Sequence, residues 1–237
     1  MKILALIPAR GGSKRLPGKN IRKLDGVPLI MRTINAVEGI PEICDVLVST
    51  DDVAVVNICS QASVLIPWLR PEILSSDEAS SIDVALHALD WYEDEKGPVD
   101  ALLLLQPTSP FRTKEIIKEG IQLYKKFLPK AVIGVSPVST HPMWMVTIND
   151  GRLESFMSQD SFEKRSQDLP STYVVNGAFY LIQPEELRGS RSFLTRNTIP
   201  LIMNSPKESL DIDTEFDWQL AEWFASNELD IALDRDE

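Results

Sequence analysis

Short apolar runs alternate along this chain with longer stretches in which apolar residues recur every three or four positions. The short runs are bounded by Pro, Ser, Thr or Asp, which is typical of buried strands, whereas the three-and-four spacing is typical of crossover helices. This order predicts a largely parallel sheet with helices on its faces, a doubly wound or Rossmann-like α/β core. The predicted strands are Ile3–Ile7, Val46–Ser49, Ala101–Leu105, Ala131–Val135, Ala178–Ile182 and Ile199–Met203, and the predicted helices are Leu29–Val37, Val53–Ala62, Ser81–Tyr92, Lys114–Phe127 and a closing helix capped by Thr214 that ends at Ala225.

Composition narrows the class of protein and its partners. A chain of 237 residues with 43% hydrophobic residues can bury a core, and we expect a single domain over residues 1–237. The formal net charge of -11 argues against nucleic acid or an anionic membrane surface, so a small molecule is the expected partner. No stretch approaches the roughly 20 apolar residues of a membrane span, and the apolar run before Pro8 is too short for a signal peptide. Cys44 and Cys59 form no CxxC pair, which predicts core thiols in a cytoplasmic protein.

The turn after the first predicted strand, residues 10–20, is rich in glycine and positive charge. Glycines let backbone N–H groups approach an oxyanion closely, and Arg and Lys neutralise phosphate, so the turn predicts a nucleotide triphosphate site. A Walker loop does not fit, because five residues instead of four separate Gly12 from Gly18, and no GxGxxG pattern occurs. The alternative is a solvated basic loop. The glycines and cations of the turn are Arg10, Gly11, Gly12, Lys14, Arg15, Gly18 and Lys19.

Two further polar motifs follow apolar runs. Gln106, Thr108 and Ser109 come directly after the third predicted strand, at the carboxyl edge where open α/β sheets bind ligands; the alternative is a polar turn. Asp211 and Asp213 alternate with apolar residues, so an extended backbone places both carboxylates on one face. Such hard oxygen ligands suit Mg²⁺ beside a triphosphate. The alternative for these acids is a helix N-terminal cap formed with the threonine that follows them.

The pattern loosens over residues 139–175. Large apolar side chains are set among polar ones there, and exposed apolar side chains need another surface to cover them. A second copy of the chain is the expected cover, and a flap packed on its own core is the alternative. The apolar side chains are Met143, Trp144, Met145, Phe156, Met157 and Phe162.

Residues 7–20, IPARGGSKRLPGKN, resemble the N-terminal signature of the acylneuraminate cytidylyltransferases, the CMP-sialic acid synthetases, which activate nine-carbon acidic sugars with CTP. Similar family blocks follow in the same order to residue 214, so the resemblance covers nearly the whole chain. It implies a Rossmann-like nucleotidyltransferase fold, three layers α/β/α with a mostly parallel sheet, in which residues 139–175 are an inserted excursion for dimerisation and sugar contact. The blocks are Leu69–Pro71, Ala79–Ser81, Leu105–Arg112, Arg165–Pro170, Asn176–Tyr180 and Asp211–Thr214.

The resemblance also implies a role for each block. For CTP it implies a binding site of backbone amides, cations and polar groups. Without the resemblance, Arg70-Pro71 would indicate only a turn, and Ser80-Ser81 only a helix cap. For the sugar it implies polar groups at the sheet edge and Arg165, whose guanidinium matches a planar carboxylate. The implied CTP residues are Ala9, Arg10, Gly11, Gly12, Ser13, Lys19, Asn20, Arg70, Ser80 and Ser81; the sugar residues are Gln106, Thr108, Ser109, Arg165, Gln167 and Asn176; and the catalytic residues are Arg10, Lys19, Asp211 and Asp213, of which the two aspartates hold Mg²⁺.

The implied reaction is nucleotidyl transfer, in which the anomeric hydroxyl of a nonulosonic acid attacks the α-phosphate of CTP and releases pyrophosphate. The partners are then CTP, the acidic sugar and a second copy of the chain. N-acetylneuraminate, legionaminate and related acids all fit, and no side chain stands out as the general base. One alternative is a cytidylyltransferase for the eight-carbon sugar Kdo, whose first loop usually has Pro where Asn20 stands. The other is a silent nucleotide-binding module, against which Lys19, Asp211 and Asp213 argue.

Overall fold

A computed structural model describes residues 1–157 and 165–227 of the chain. The elements form three layers, in which a central six-stranded sheet lies between two sets of helices. In chain order they are β1 (Ile3–Pro8), β2 (Lys23–Leu24), β3 (Val27–Pro28), α1 (Leu29–Val37), β4 (Ile43–Ser49), α2 (Val53–Cys59), α3 (Glu72–Ser75), α4 (Ser81–Lys96), β5 (Ala101–Leu104), α5 (Lys114–Phe127), β6 (Val132–Pro137), β7 (Val146–Asn149), β8 (Arg152–Ser155), β9 (Tyr173–Ile182), α6 (Pro184–Ser190), β10 (Ile199–Ile202) and α7 (Glu215–Ser226).

The central sheet has the strand order β10-β6-β9-β5-β1-β4. Strands β4, β1 and β5 run parallel, as do β6 and β10, so the predicted α/β fold with a mostly parallel sheet is confirmed. Strand β9 runs antiparallel to both β5 and β6, which the apolar pattern did not indicate. The chain leaves β6 and returns to β9 at the same end of the sheet, where the Val138 N–H donates to the Thr172 carbonyl at 3.1 Å. Neighbouring strands joined in this way are antiparallel, since no crossover is needed.

Strand β1 lies at the centre of the core and is buried on both faces. Its side chains alternate between the two helical layers, as the two-residue period of a strand requires. Leu4 and Leu6 pack with Leu89 of α4, whereas Ile3 lies in the cluster that contains Ile117 of α5. Burial on both faces explains why this run is continuously apolar. The parallel pairing also brings the C-terminal ends of β1, β4 and β5 side by side at one end of the sheet.

Side-chain caps define the starts of the longer helices. The predicted cap at Thr214 is confirmed: its hydroxyl accepts from the Asp217 N–H at 3.3 Å, while the Asp217 carboxylate accepts from the Thr214 N–H at 2.7 Å. This reciprocal pair is a capping box. Ser80 and Thr113 cap α4 and α5 through their hydroxyl groups. Polar residues in short connections therefore determine where the helices of both layers begin.

Some predicted boundaries and environments were wrong. Helix α2 ends at Cys59 rather than at Ala62, and α4 continues to Lys96, where Gly97 stops it with a positive φ of 86°. The last residues of α4 are mostly charged, and the apolar spacing did not predict them as helical because they have no buried face. Cys59 is buried as expected, but Cys44 is exposed, since β4 is an edge strand of the sheet.

The hairpin β7–β8 pairs with itself and lies outside the central sheet. Apolar side chains on it and next to it are exposed, so the described part of the chain does not cover them: Met145, Val146, Ile148, Leu153, Phe156 and Met157. Phe162, which we expected to belong to this apolar set, lies outside the described residues. The assignment of residues 139–175 to dimerisation stays a prediction. None of the described helices is long and apolar enough to cross a membrane.

Two helical glycines give a matched test of the packing between α5 and β9. A Cβ added at Gly120 would meet the Phe179 ring at 2.4 Å, whereas a Cβ at Gly189 of α6 would meet nothing within 4 Å. We expect Gly120→Ala to lower the free energy of unfolding by about 1–3 kcal/mol, because overpacking outweighs the gain in helix propensity. Gly189→Ala should leave it unchanged or raise it by up to ~1 kcal/mol. Urea unfolding followed by circular dichroism measures both, and equal stability of the two variants would contradict the close packing of Phe179.

Candidate functional site

Two adjoining cavities open at the end of the sheet where the parallel strands β1, β5, β6 and β10 terminate. The first has a volume of about 560 Å³ and the second a volume of about 660 Å³. Both are lined by Gln106 and Asp211, so these two residues form the boundary between them. Open α/β sheets bind their ligands at this end, which makes the pair of cavities the candidate site.

The basic loop, residues 10–20, forms one wall of the first cavity. Gly18 has a positive φ of 67°, a left-handed conformation that glycine adopts at no steric cost, and it leads into the short 3-10 turn Lys19–Ile21. Asn20 is buried, and its Nδ2 donates to the Arg10 carbonyl at 2.9 Å. This bond ties the end of the loop to its beginning, so the cations are presented from a closed turn.

Asp213 holds two cations of the basic loop. Lys19, which is buried, places its Nζ 3.0 Å from Asp213 Oδ1 and donates to the Ile212 carbonyl at 2.6 Å. Arg15 Nη2 donates to Asp213 Oδ2 at 2.6 Å. The acid comes from the segment just before α7, 194 positions beyond Lys19. Contacts between distant parts of the chain therefore close this side of the cavity.

Asp77 holds the other two cations, and the sequence pattern did not point to it. Arg10 Nη1 donates to Asp77 Oδ1 at 3.0 Å, and Lys14 forms an ion pair with the same carboxylate. The hydrogen bond from Lys14, with a smaller contribution from Arg10, holds the pKa of Asp77 below its usual value. All four cations of the loop are thus paired with one of two acids. The pairs of Arg10, Lys14 and Arg15 are exposed, and exposed ion pairs are weak, so a more highly charged anion can replace the carboxylate there.

Asp211 lies at the boundary of the two cavities. Its side chain is exposed to both cavities, yet the surrounding protein excludes enough water that burial raises the pKa of the carboxyl. The Thr108 hydroxyl hydrogen bond and the charge of Lys19 oppose this rise, while the charge of Asp213 adds to it. The Ile212 N–H donates to the Thr108 carbonyl at 2.8 Å, which fixes the acidic segment against the turn after β5.

Arg70 also lines the first cavity, from a buried position. Its Nε donates to Ser49 Oγ at 3.0 Å, and its Nη2 donates to the Ser49 carbonyl at the end of β4. Burial lowers the pKa of Arg70 to about 10, so the guanidinium stays charged at neutral pH. Arg70 therefore adds a fifth cation to a cavity that Asp77, Asp211 and Asp213 also line.

The second cavity is less charged than the first. Asn176 is buried there, with its Nδ2 donating to Ser136 Oγ at 2.9 Å and its Oδ1 accepting from the Ala178 N–H at 3.1 Å. Val138, Val174 and Val175 add an apolar wall. Among the described residues that line this cavity, Asp211 is the one charged side chain. A polar, ring-sized ligand fits such a lining better than a polyphosphate does.

Most of the chain matches one protein family. Residues 4–202 fit the family model described as cytidylyltransferase. The chain belongs to the cytidylyltransferase family. This confirms the resemblance found in the sequence motifs and identifies the protein as a nucleotidyltransferase enzyme.

Two relatives and one solved structure place this cytidylyltransferase more closely. It is 40% identical over 225 residues to the CMP-N,N'-diacetyllegionaminic acid synthase of Legionella pneumophila, a match that covers 94% of this chain and 95% of that relative. It is 36% identical over 220 residues to the N-acylneuraminate cytidylyltransferase of Streptococcus agalactiae, covering 92% of this chain and 52% of that relative, so it spans about half of the streptococcal protein. The solved CMP:2-keto-3-deoxy-manno-octonic acid synthetase complexed with CTP has a TM-score of 0.69 at 18% identity, covering 97% of this chain and 100% of that one. Identity that low shows the fold alone.

Most of the predicted CTP residues lie together in this cytidylyltransferase. Those lining the first cavity are Arg10, Ser13, Lys19, Asn20, Arg70 and Ser81, together with Gln106, Thr108, Asp211 and Asp213. Ala9, Gly11 and Gly12 do not line it, and the Gly11 N–H already donates to the Asp51 carboxylate at 2.9 Å. Ser80 lies outside the lining as well, because its hydroxyl caps α4. The roles of these residues toward CTP stay predictions.

Some of the predicted sugar residues line a cavity and others do not. Those that line a cavity are Gln106, Thr108 and Asn176. Ser109 is buried, and its hydroxyl has no hydrogen-bond partner in the described part of the chain. Arg165 and Gln167 are exposed on the excursion and line neither cavity. Within one copy of the chain, the excursion therefore does not bring these two side chains to the site.

The raised pKa of Asp211 predicts the sign of its effect on stability. A carboxyl whose pKa is higher in the folded than in the unfolded protein lowers stability above both values and has no such effect below them. We expect Asp211→Asn to be more stable than the unaltered protein at pH 7, and this advantage to shrink as the pH falls towards about 4. Thermal unfolding at several pH values measures the difference, with Asp90→Asn, at an exposed pair with Arg188, as a control that changes little. Lower stability of Asp211→Asn at pH 7 would show that attraction to Lys19 outweighs burial.

Proposed function

We propose that this cytidylyltransferase transfers the cytidylyl group of CTP to the anomeric hydroxyl of a nine-carbon acidic sugar, giving a CMP-sugar and pyrophosphate. The observation that carries the proposal is the pair of adjoining cavities, one lined with cations and one weakly charged, which meet at Gln106 and Asp211. The relatives supply the sugar class, since one is named for N,N'-diacetyllegionaminic acid and another for N-acylneuraminate. The sugar oxygen bonds to the α-phosphorus, the bond from that phosphorus to the pyrophosphate oxygen breaks, and the hydroxyl proton passes to water.

The triphosphate binds in the first cavity, against the basic loop. Before it arrives, Asp77 and Asp213 keep the four cations of the loop in place. A triphosphate carries more negative charge than a carboxylate, and three of these four ion pairs are exposed and therefore weak, so the nucleotide displaces the aspartates from the cations. Arg10 and Lys19 then stabilise the charge that develops on the leaving pyrophosphate. Holding both substrates in line supplies the rest of the rate enhancement.

The sugar binds in the second cavity, where its carboxylate requires a cation. No Lys or Arg occurs among the described residues that line this cavity. Arg165 is exposed on the excursion and lines neither cavity of its own chain. We therefore propose a homodimer in which each copy brings Arg165 to the sugar carboxylate of its neighbour, where a guanidinium makes a bidentate match. The exposed apolar side chains around β7 and β8 support this interface.

Mg²⁺ is the cofactor that we propose. Asp211 and Asp213 both line the first cavity and offer the hard oxygen ligands that Mg²⁺ prefers. Mg²⁺ needs only one or two carboxylates from the protein, because phosphate oxygens and water complete its shell. When bound, Mg²⁺ neutralises phosphate charge. Asp213 would exchange Lys19 and Arg15 for the metal, which frees both cations for the phosphates.

A cytoplasmic location is also proposed. Cys44 and Cys59 are free thiols, and free thiols are typical of proteins in reducing compartments.

Pyrophosphate release from CTP tests the proposed reaction. We expect turnover with N,N'-diacetyllegionaminate, N-acetylneuraminate or another nine-carbon acid, with the CMP-sugar confirmed by mass spectrometry, and none with Kdo. EDTA should stop the reaction, and Asp213→Ala should lower kcat by about 100-fold or more while the far-ultraviolet spectrum is unchanged. Asp90→Asn is the control that retains activity. Absence of release with every sugar, from folded protein that binds CTP, would favour a silent nucleotide-binding module, and turnover with Kdo alone would favour the eight-carbon branch.

The dimer and the role of Arg165 are tested together. We expect a dimer in sedimentation velocity and a monomer after Leu153→Asp, because Leu153 is 72% exposed and the substitution places a charge on the apolar face. Arg165→Ala should raise the KM for the sugar at least about tenfold, as expected for a lost charged contact, and leave the Kd of CTP within about twofold in titration calorimetry. Arg152→Ala, another exposed arginine of the excursion, is the control. A fully active monomer would contradict the shared site.

A further inference from the structure

The ladder between β5 and β9 opens just before the boundary of the two cavities. Its last paired residues are Leu104 and Tyr180, so Gln106 and Ala178 stand opposite each other two positions further along. Backbone hydrogen bonds do not join them; instead Arg112 lies between the strands. Its Nη2 donates to the Gln106 carbonyl at 2.7 Å, and its Nε donates to the Ala178 carbonyl. The guanidinium thus replaces the ladder at the point where the two strands diverge.

Arg112 is an unusual residue to fill the space between two strands for structural reasons alone. It is 4% exposed, and no ion pair to it occurs in the described part of the chain. Its Nη1 has no hydrogen-bond partner among the same residues. Desolvation lowers the pKa of Arg112 to about 9, so the side chain remains charged at neutral pH. Apolar residues generally fill such a position at lower cost than a buried charge, so stability alone does not account for Arg112.

The contacts of Arg112 converge on Gln106, the residue that lines both cavities. The register of β9 against β6 shifts between Ile133 and Val135, which marks an irregular stretch of β9 that includes Gly177. Gly177 has a positive φ of 75°, and a Cβ there would lie 2.7 Å from Gln106 Oε1. The Gln106 side chain therefore packs against the Cα of Gly177, which carries no side chain, while Arg112 binds the Gln106 carbonyl. Bulges next to active sites commonly orient a side chain in this manner.

We propose that Arg112 is a positioning residue that fixes Gln106 and the irregular stretch of β9 at the wall shared by the two cavities, and thereby sets the alignment of the nucleotide with the sugar. This inference rests on the proposed function for its effect on turnover. Arg112 itself lines neither cavity and so contacts neither substrate. A small displacement of a wall shared by two reactants changes their alignment more than the affinity of either one.

Kinetics of Arg112→Lys and Arg112→Met test the proposal. We expect kcat to fall by about 10- to 100-fold in Arg112→Met and by less in Arg112→Lys, while the Kd of CTP stays within about twofold. The matched control is Arg32→Met, because Arg32 also donates twice to a backbone carbonyl, that of Leu24, but lines neither cavity. Arg32→Met should keep its kcat per folded molecule. An unchanged kcat in Arg112→Met, or a fall matched by an equal weakening of CTP binding, would overturn the proposal.

Gly177→Ala perturbs Gln106 without altering Arg112, so this variant tests the role of Gln106 even if the Arg112 variants fold poorly. We expect the same pattern, a lower kcat with CTP affinity retained, because the added Cβ displaces the Gln106 side chain. Equal kcat in this variant and the unaltered enzyme would contradict the role assigned to Gln106.

Hydrogen exchange gives a measurement that does not require turnover. Arg112→Lys should accelerate exchange in peptides covering residues 101–112 and 173–182 and leave β4 and α1 unchanged. Faster exchange throughout the chain would mean a general loss of stability and overturn the proposal. If the unaltered protein transfers no cytidylyl group while this local change is observed, the proposed reaction fails and the positioning of Gln106 by Arg112 stands.

Discussion

Repulsion among the four cations of one short loop is the constraint on which the site depends. So much like charge in eleven residues requires nearby anions, and the fold supplies two aspartates from distant segments. Asp213 draws the segment before α7 against the loop, and Asp77 draws the segment before α4 against its other side. An apolar cluster beneath, which includes Leu16 of the loop and Trp218 of α7, packs the same parts together. Electrostatic and hydrophobic contacts thus close the first cavity in concert.

The site also contains charges in positions that are unfavourable for stability. Burial raises the pKa of Asp211 and lowers those of Arg70 and Arg112, so for each of these groups burial opposes the charged form. All three lie at or beside the end of the sheet where the parallel strands terminate. Natural proteins accept such local cost where charge is needed for function, and the rest of this sheet, apolar on both faces, offsets it.

The sequence predicted the features that are local and could not predict those that depend on long-range contacts. Strand β1 and the basic loop were recognisable because a buried strand, glycines and cations follow one another in a single segment. The antiparallel direction of β9 was not, since a strand buried on both faces is apolar in either direction. Asp77 is one exposed acid among many in the sequence, and only its contacts distinguish it. Arg165 was predicted as a site residue from a motif, yet it lies away from both cavities of its own chain, because a motif does not show where the excursion places its side chains.

The excursion leaves the sheet after β6 and returns in β9. Its two ends are linked by the hydrogen bond from Val138 to Thr172, by the contacts of His141 with Pro170 and Thr172, and by the pairing of residues 173–175 with β6. A segment that leaves and re-enters a sheet at neighbouring strands can gain, lose or exchange residues at its far end without shifting those strands. The basic loop, Asp77 and Asp213 lie outside it, so changes there leave the charged half of the site intact. Substitutions in the excursion would therefore change its exposed surface without changing any residue that lines the first cavity.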